Sequence, residues 1–223
     1  MYIVLDIETG DPTPEEQEQE RKRAKIGRLK DPEKIAKKRA EVKMGCTDSA
    51  PIFCIGLKTP DKFISLSTAN LGNCEREQLT ASGVLAVTLT NEKDLLTVFA
   101  GVMSGLPNET RLVTFNGKNF DVRKLRHRMA MYGIQQPDAL WIWKHTDAML
   151  KAMDFLQVDT PFNSLEYVAE SFKVPFRKGI DGGDIGKMIA TDDPQQHTAI
   201  LLYNMVDCLV TEQIARMMLG GRL

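Results

Sequence analysis

The stretch YIVLDIETG, residues 2–10, opens the chain with an apolar run that ends in two acidic residues. A continuous β-rich run of this kind is typical of a strand buried on both faces. Side chains alternate along a strand, so we expect Asp6 and Glu8 on one side and Ile7 on the other. Two neighbouring carboxylates repel each other unless a cation lies between them. The pair indicates either a site for Mg²⁺ or Mn²⁺, which prefer oxygen ligands, or a solvated acidic turn.

A third acidic residue, Asp121, follows the segment NGKNF, residues 116–120. Asn116-Gly117 is a turn signal, and apolar residues recur behind it at helical spacing. The pattern predicts a helix from about Phe120 to Tyr132 that leaves a strand and carries Asp121 in its first turn. Asp121 is a candidate ligand, although the helix dipole alone also favours an acid at this position.

The fourth acidic residue, Asp207, lies in a long predicted helix and is flanked on both sides by apolar residues. A carboxylate in such surroundings is costly unless a metal ion, or a Lys or Arg partner, compensates it. Tyr203 stands four residues earlier and projects from the same helix face, where it could equally be a core aromatic. Together with Asp6, Glu8 and Asp121, this pair has the scattered origin expected of a site that the fold assembles.

Composition bounds the class of protein. The 223 residues are 43% hydrophobic and 26% charged, which is ordinary for a soluble chain and fits one domain over residues 1–223. The four cysteines form no C-x-x-C pair, so neither a zinc site nor a disulfide framework is indicated. No apolar run reaches the length of a membrane span, and the amino terminus lacks the features of a signal peptide. We therefore expect a cytoplasmic protein with no membrane partner.

The order of the predicted elements favours an α/β domain with a mixed sheet of five strands flanked by helices. After the first strand, we predict strands at about 51–58, 62–67, 111–115 and 141–143. Helices are predicted at about 92–103, 120–132, 147–156, 164–173 and 194–218.

A charged insertion occupies about residues 11–48. Asp31-Pro32 is a plausible start for a helix that runs to about Met44. Residues 21–43 carry eleven Lys and Arg against three acidic residues, a net charge of +8. Such a segment could follow the backbone of a single-stranded nucleic acid, or it could be a helix with a solvated charged face.

Three motifs in this order resemble those of the DEDD exonuclease superfamily: DIETG at residues 6–10, NGKNFD at 116–121 and Y-x-x-x-D at 203–207. The tyrosine is the mark of the DEDDy branch. The chain is most similar to the proofreading domain of family B DNA polymerases and its stand-alone relatives, and the likeness spans residues 1–218. The pairs Lys178-Gly179 and Asp181-Gly182 add to it. The long insertion departs from the family pattern.

The resemblance implies an RNase H-like fold and a two-metal mechanism with Mg²⁺ or Mn²⁺. By position, Asp6 would bridge both ions. Glu8 and Asp207 would hold the ion that activates water, and Asp121 would support the second ion through water. Tyr203 would orient the attacking water, because a phenol with a pKa near 10 is a weak base at neutral pH.

Substrate contacts are assigned around this site. The candidates are Thr9, Asn116, Asn119, Phe120 and Lys178. Phe120 could stack on the terminal base or belong to the core, and Asn119 also fits the N-cap of the helix. A basic cluster at residues 123–128 could contact the substrate or form a solvated face.

The resemblance therefore predicts a 3′-5′ exonuclease that hydrolyses single-stranded DNA. An RNA exonuclease is the first alternative, because contacts with the 2′-hydroxyl decide between the two. Further alternatives are a nucleic-acid-binding module without catalysis and a protein that docks through its charged insertion. The 223 residues contain no polymerase region, so we expect the enzyme to act alone or with a replication or repair protein.

Overall fold

A computed structural model describes residues 1–25, 27, 29–141, 145–156, 164–176, 179–221 and 223. Its strands form one sheet in the order β4-β3-β2-β1-β5-β6. The strands are β1 (Tyr2–Thr9), β2 (Ile52–Lys58), β3 (Phe63–Ser67), β4 (Val84–Thr88), β5 (Arg111–Thr114) and β6 (His145–Asp147). Strand β2 is antiparallel to both of its neighbours, and the other adjacent pairs are parallel.

Helices cover both faces of this sheet. They are α1 (Pro14–Arg23), α2 (Pro32–Ala40), α3 (Asn73–Ala81), α4 (Glu92–Ser104), α5 (Asp121–Met131), α6 (Ala148–Leu156), α7 (Leu165–Ser171), α8 (Ile185–Ala190) and α9 (Pro194–Met218). The core on one face includes residues from α3, α6, α7, α8 and α9, and the core on the other face includes residues from α4 and α5. No helix in this part of the chain combines the length and hydrophobicity that crossing a bilayer requires.

The predicted α/β class, with a mixed sheet flanked by helices, is confirmed, but the count of five strands is wrong. The sheet has six strands, and the missed one is β4 at the edge, where Leu85 is 55% exposed. A short edge strand of this kind lacks the continuous apolar run by which the central strands are recognised. The strand expected at about 141–143 lies mostly outside the described residues. Trp141 directly follows a 3-10 turn. The edge strand in this region is β6, which begins at His145.

Strand β1 is buried on both faces, as its sequence predicts, and extends beyond Leu5 to Thr9. Tyr2 and Val4 belong to the core beneath α9, whereas Ile3 and Leu5 belong to the core beneath α4 and α5. The alternation continues to the end of the strand, so the side chains after Val4 on the same side face α9. A bulge in the pairing with β2 follows directly after Glu8. The acidic pair thus lies where the sheet meets the longest helix.

Helix α9 begins at Pro194, capped by the Asp193 side chain, and runs to Met218, as predicted. It packs against β1 and β2, and Gly56 of β2 allows the two to come close. A β-carbon at Gly56 would lie 2.0 Å from Oδ1 of Asn204. The absence of a side chain at position 56 therefore sets how near α9 lies to the end of β1.

The charged insertion folds as two helices without a buried residue, α1 and α2. Asp31 caps α2 as predicted, but the helix ends at Ala40 rather than near Met44. Helix α1 was not predicted, although Thr13 and Glu16 form a capping box at its start. That motif, Thr followed three residues later by Glu, is the local signal that could have revealed it.

We predict that Gly56→Ala destabilises the protein by about 1–3 kcal/mol, since the new methyl group overlaps the Asn204 amide and α9 must shift. Chemical denaturation measures the change. The control is Gly101→Ala in α4, which meets no atom within 4 Å and should stabilise the protein by about 0.5–1 kcal/mol. Equal stability of the two variants would contradict this account of the β2–α9 contact.

Candidate metal centre

Three of the predicted acidic residues meet at the end of β1. One carboxylate oxygen each from Asp6, Glu8 and Asp207 lies within 4.8 Å of the others, and all three side chains are half-buried. The strand contributes the first two because residues two apart share a face, and α9 contributes the third. The structure therefore brings together residues that are about 200 positions apart in the chain.

Asp121 stands beside this cluster rather than in it. Its side chain is 2% exposed, and Oδ1 accepts a hydrogen bond of 3.1 Å from the backbone N–H of Ile7. The donor lies between Asp6 and Glu8 on the strand, so the first residue of α5 is fixed against the acidic pair. The sequence prediction that all four acids approach one another is consistent with this contact.

Burial and repulsion between carboxylates raise the pKa values of Asp6, Glu8 and Asp121. Desolvation is the largest cause for Asp6, whose pKa lies well above its ordinary value, and the charge of Asp121 is the next. The pKa of Glu8 is also raised well above its ordinary value, first by burial and then by the charge of Asp207. Burial raises the pKa of Asp121 to about 7, although hydrogen bonds from backbone N–H groups lower it in part.

Asn204 is a site residue that the sequence analysis missed. Its Nδ2 donates a hydrogen bond of 2.7 Å to Oδ2 of Asp6, and its amide also lowers the pKa of Glu8 by a hydrogen bond. The residue is fully buried, next to Gly56. Its position beside Tyr203 in the Y-x-x-x-D motif was the available signal, but a lone Asn in a helix does not show what it faces.

Tyr203 reaches the cluster through Asp207. The two are one helical turn apart, and the hydroxyl of Tyr203 is hydrogen-bonded to the Asp207 carboxylate. Burial, together with the neighbouring carboxylates, raises the pKa of the phenol far above its ordinary value. Tyr203 therefore holds its proton at neutral pH and acts as a donor.

The loop before α5 is ordered by Asp147, which is buried at the end of β6. Its carboxylate accepts hydrogen bonds from the N–H groups of Asn116 at 2.9 Å and Lys118 at 3.0 Å. Asn116 adopts a left-handed conformation with φ of 61°, which Asn tolerates better than most residues. A β-carbon at Gly117 would lie 2.4 Å from the Thr114 side chain, so glycine is required there. The turn predicted at Asn116-Gly117 is confirmed.

The predicted substrate residues of this loop have partners within the protein. Asn119 is exposed, and its amide donates to Asn116 at 3.1 Å. The alternative assignment of Asn119 as N-cap is wrong, since Phe120 occupies that position and makes no side-chain cap bond. Phe120 is half-buried and packs against the core beneath α5. These contacts do not test whether the two side chains also bind substrate, so that assignment stays a prediction.

Of the two other residues assigned to the substrate, the structure describes only Thr9. Thr9 is buried and its hydroxyl donates to the carbonyl of Gly45 at 2.7 Å, which ties the end of β1 to the end of the charged insertion. Lys178 lies outside the described residues.

Two of the five basic residues at 123–128 serve the structure. Lys124 is 5% exposed and donates to the carbonyls of Thr47 and Asp48, the latter at 3.1 Å. Arg128 is 6% exposed, pairs with the buried Glu92 and donates to the carbonyl of Ser49. Neither of the two alternatives weighed for the cluster, substrate contact or solvated face, holds for these two cations.

The donor set fits a divalent metal ion. Hard carboxylate oxygens are the ligands of Mg²⁺ and Mn²⁺. The three carboxylate oxygens already lie within 4.8 Å of one another, so one divalent ion could bind all three after they move closer together. Among the described residues, no Lys, Arg or His forms an ion pair with Asp6, Glu8 or Asp121, and a cation would relieve their repulsion.

Comparison with known proteins gives one positive finding. Residues 56–219 match the family model of the RNase H superfamily, which is more than half of the chain. The matched segment contains Asp121, Tyr203 and Asp207, whereas Asp6 and Glu8 precede it. A search of the curated proteins found no match.

We predict that the metal-free protein loses stability as the pH rises from about 6.5 towards 7.5. A carboxyl whose pKa is raised in the folded state binds more protons folded than unfolded, so its contribution is full below about pH 4 and is lost as the pH passes the folded pKa, about 7 for Asp121. His145, with its pKa lowered to about 4, acts oppositely only below the ordinary histidine pKa of about 6.5. Lys124, with a pKa near 8, acts oppositely above the window.

Thermal unfolding in chelator measures this slope. Adding Mn²⁺ in excess of its Kd by about a hundredfold should raise the free energy of unfolding by about 2.7 kcal/mol. Glu8→Gln should raise the Tm of the metal-free protein at neutral pH and remove the response to Mn²⁺. A metal-free Tm that increases with pH across the window would contradict the repulsive cluster.

A second prediction concerns Asn204→Ala, which removes the amide that orients Asp6. Partners of metal-ligating groups typically contribute 10–100-fold to metal affinity, so we expect Mn²⁺ to bind at least about tenfold more weakly by calorimetric titration. Asn119→Ala is the matched control, because its exposed amide bonds only Asn116. Equal Mn²⁺ affinity in the two variants would show that Asn204 has only a packing role.

Proposed function

Because the chain belongs to the RNase H superfamily, in which a nuclease is the expected activity, we propose that it is a DEDDy-type 3′-5′ exonuclease acting on single-stranded DNA. The observation that supports this most is the meeting of Asp6, Glu8 and Asp207 within 4.8 Å, with Asp121 fixed against the same strand. The Tyr203 hydroxyl on the Asp207 carboxylate completes the set that the motifs imply.

Asp6, Glu8 and Asp207 would hold divalent metal, Mg²⁺ or Mn²⁺, and Asp121 would support a second ion from its position beside Ile7. When bound, a pair of such ions lowers the pKa of the attacking water and stabilises charge on both the attacking and the leaving oxygens. In this proposal, the protein keeps the ligands in place without reorganisation, because β1, α5 and α9 carry them on packed elements rather than on loops.

Tyr203 orients the attacking water. Its hydroxyl is already directed towards the cluster by the bond to Asp207. A phenol with an ordinary pKa near 10 is protonated at neutral pH, so it can donate to or position a water molecule but is a poor proton acceptor. Thr9, Asn116, Asn119, Phe120 and Lys178 remain the proposed contacts with the terminal nucleotides.

The substrate we propose is DNA, with RNA as the competing substrate, and a replication or repair protein as the class of partner. The place of action we propose is the cytoplasm. A strand of either chemistry presents the same phosphodiester to the acidic cluster, so the contact with the 2′-hydroxyl decides the preference.

The direct test uses a single strand labelled at its 5′ end, incubated with Mn²⁺. We expect stepwise shortening from the 3′ end, loss of activity in chelator, and a fall in rate of roughly a hundredfold or more for Asp6→Ala and Asp207→Ala, the scale on which one charge-stabilising group acts. Circular dichroism should show both variants folded. Parallel DNA and RNA strands reveal the preference.

The control is Asp61→Asn, because Asp61 is an exposed acid in the turn between β2 and β3, at the opposite end of the sheet. It should retain full activity. Binding of the strand without shortening would favour a module without catalysis, and shortening that survives Asp6→Ala would reject the assigned site.

A further inference from the structure

The charged insertion forms an arm, defined here as residues 11–48, that leaves and rejoins the sheet beside the acidic cluster. It departs from β1 three residues after Glu8 and returns to β2 just before Ile52. Near the carboxyl-terminal end of the arm, the carbonyl of Gly45 accepts a hydrogen bond of 2.7 Å from the Thr9 hydroxyl. The backbone of α8 packs so closely on Asp11 that a β-carbon at Gly186 would lie 2.5 Å from that carboxylate. The base of the arm is therefore fixed at the edge of the candidate site.

Buried cations strengthen this attachment. Lys124 and Arg128 of α5 donate to the carbonyls of residues 47–49, and Ser49 donates to Glu20 of α1 at 2.5 Å. The helix that begins with Asp121 thus also holds the returning end of the arm.

The two helices of the arm differ in how their charges are paired. In α1, Lys22 lies 3.4 Å from Glu18 and Arg23 lies 3.8 Å from Glu20. In α2, none of the basic side chains forms an ion pair within the described part of the chain, and Lys34, Lys37 and Lys38 are exposed. Nε of Arg39 is buried and has no hydrogen-bond partner there. Helix α2 therefore presents positive charge that no acidic side chain of the described residues pairs with. Its Arg39 Nε–H group also lacks a hydrogen-bond acceptor among those residues.

Little within the chain stabilises α2. It has nine residues, none of them buried, and isolated helices shorter than about 12–15 residues are marginal in water. A short helix with an unpaired basic face depends on compensating charges or on a partner. A phosphate backbone would supply a row of negative charges to these lysines.

From the fixed base and the unpaired charge we propose that α2 is a clamp for the backbone of the single strand whose 3′ end lies at the acidic cluster. The inference rests on the proposed exonuclease function and adds how the substrate is held. In this proposal, Lys34, Lys37 and Lys38 contact phosphates. At about 1.5 Å per residue, α2 is roughly 13 Å long and spans more than one phosphate.

The test measures the affinity of a fluorescent single strand in the Asp207→Asn background, which leaves the strand intact. Lys34→Gln, Lys37→Gln and Lys38→Gln together should weaken binding roughly tenfold to a hundredfold at moderate ionic strength. Each lost phosphate contact lowers the slope of log affinity against log salt by about 0.7. Glutamine is a good helix former, so the substitution changes charge rather than helix propensity.

Two single-charge controls are available. Lys22→Gln changes a paired cation of the same arm, and Lys62→Gln changes an exposed cation in the β2–β3 turn at the other end of the sheet. Both should bind the strand as the parent does, whereas Lys38→Gln alone should weaken it. Equal effects of all three would overturn the proposal, because general attraction by net charge would then account for binding.

Activity measurements distinguish strand binding by α2 from hydrolysis at the acidic cluster. In the active protein, the triple variant should lose kcat/KM on a long strand and keep it on a dinucleotide, whose single phosphodiester is the bond held at the acidic cluster. If the parent shortens strands and the triple variant binds and shortens them equally well, the clamp is rejected and the exonuclease stands. If the parent shortens no strand but affinity still depends on α2, the exonuclease fails and the clamp stands.

An acidic protein is the competing partner for such a surface. Polyglutamate is the probe: affinity for it that depends on Lys34, Lys37 and Lys38, with unchanged affinity for the strand, would overturn the clamp in favour of a protein partner.

Discussion

The mutual repulsion of Asp6, Glu8 and Asp207 is the constraint that the surrounding fold must oppose. Each unit by which the pKa values of Asp6 and Glu8 rise corresponds to about 1.4 kcal/mol. Burying one Leu or Ile contributes about 1.5–3 kcal/mol, and β1 is packed by such residues on both faces while α9 adds its own. A few well-packed side chains on either side therefore offset the repulsion. This explains why the acids lie on the most buried strand and the longest helix rather than on loops.

Two linked contacts set the geometry of the cluster. The missing side chain at Gly56 leaves room for Asn204, and the Asn204 amide donates a hydrogen bond to Asp6. The glycine is paired with Asp6 across the sheet, so the strand neighbour of the acid is the residue that lets the helix approach. Neither Gly56 nor Asn204 carries a charge or belongs to an expected ligand type. Their importance follows from where the fold places them, which is why a search of the sequence for ligands passes over both.

Sequence patterns predicted the acidic residues of the candidate site better than they predicted the elements and side chains around it. Strand β1, helix α9 and the cap Asp31 were predictable because their signals are local. Strand β4 was missed because a short edge strand depends on pairing with β3. Lys124 and Arg128 were assigned to a surface cluster because burial of a basic side chain depends on carbonyls more than 70 residues away in the chain.

The same two cations explain why a phosphate clamp belongs on the arm. A cluster of carboxylates repels a polyanion over about a Debye length, roughly 8–10 Å in physiological salt, so attraction for the strand has to come from cations placed close by. Lys124 and Arg128 lie on the same helix as Asp121, but Lys124 is committed to backbone carbonyls, and Arg128 to a backbone carbonyl and Glu92. Their contribution is to hold the returning end of the arm, whose two ends lie beside the acidic cluster. The acidic cluster and the basic arm are thus joined through one helix, α5.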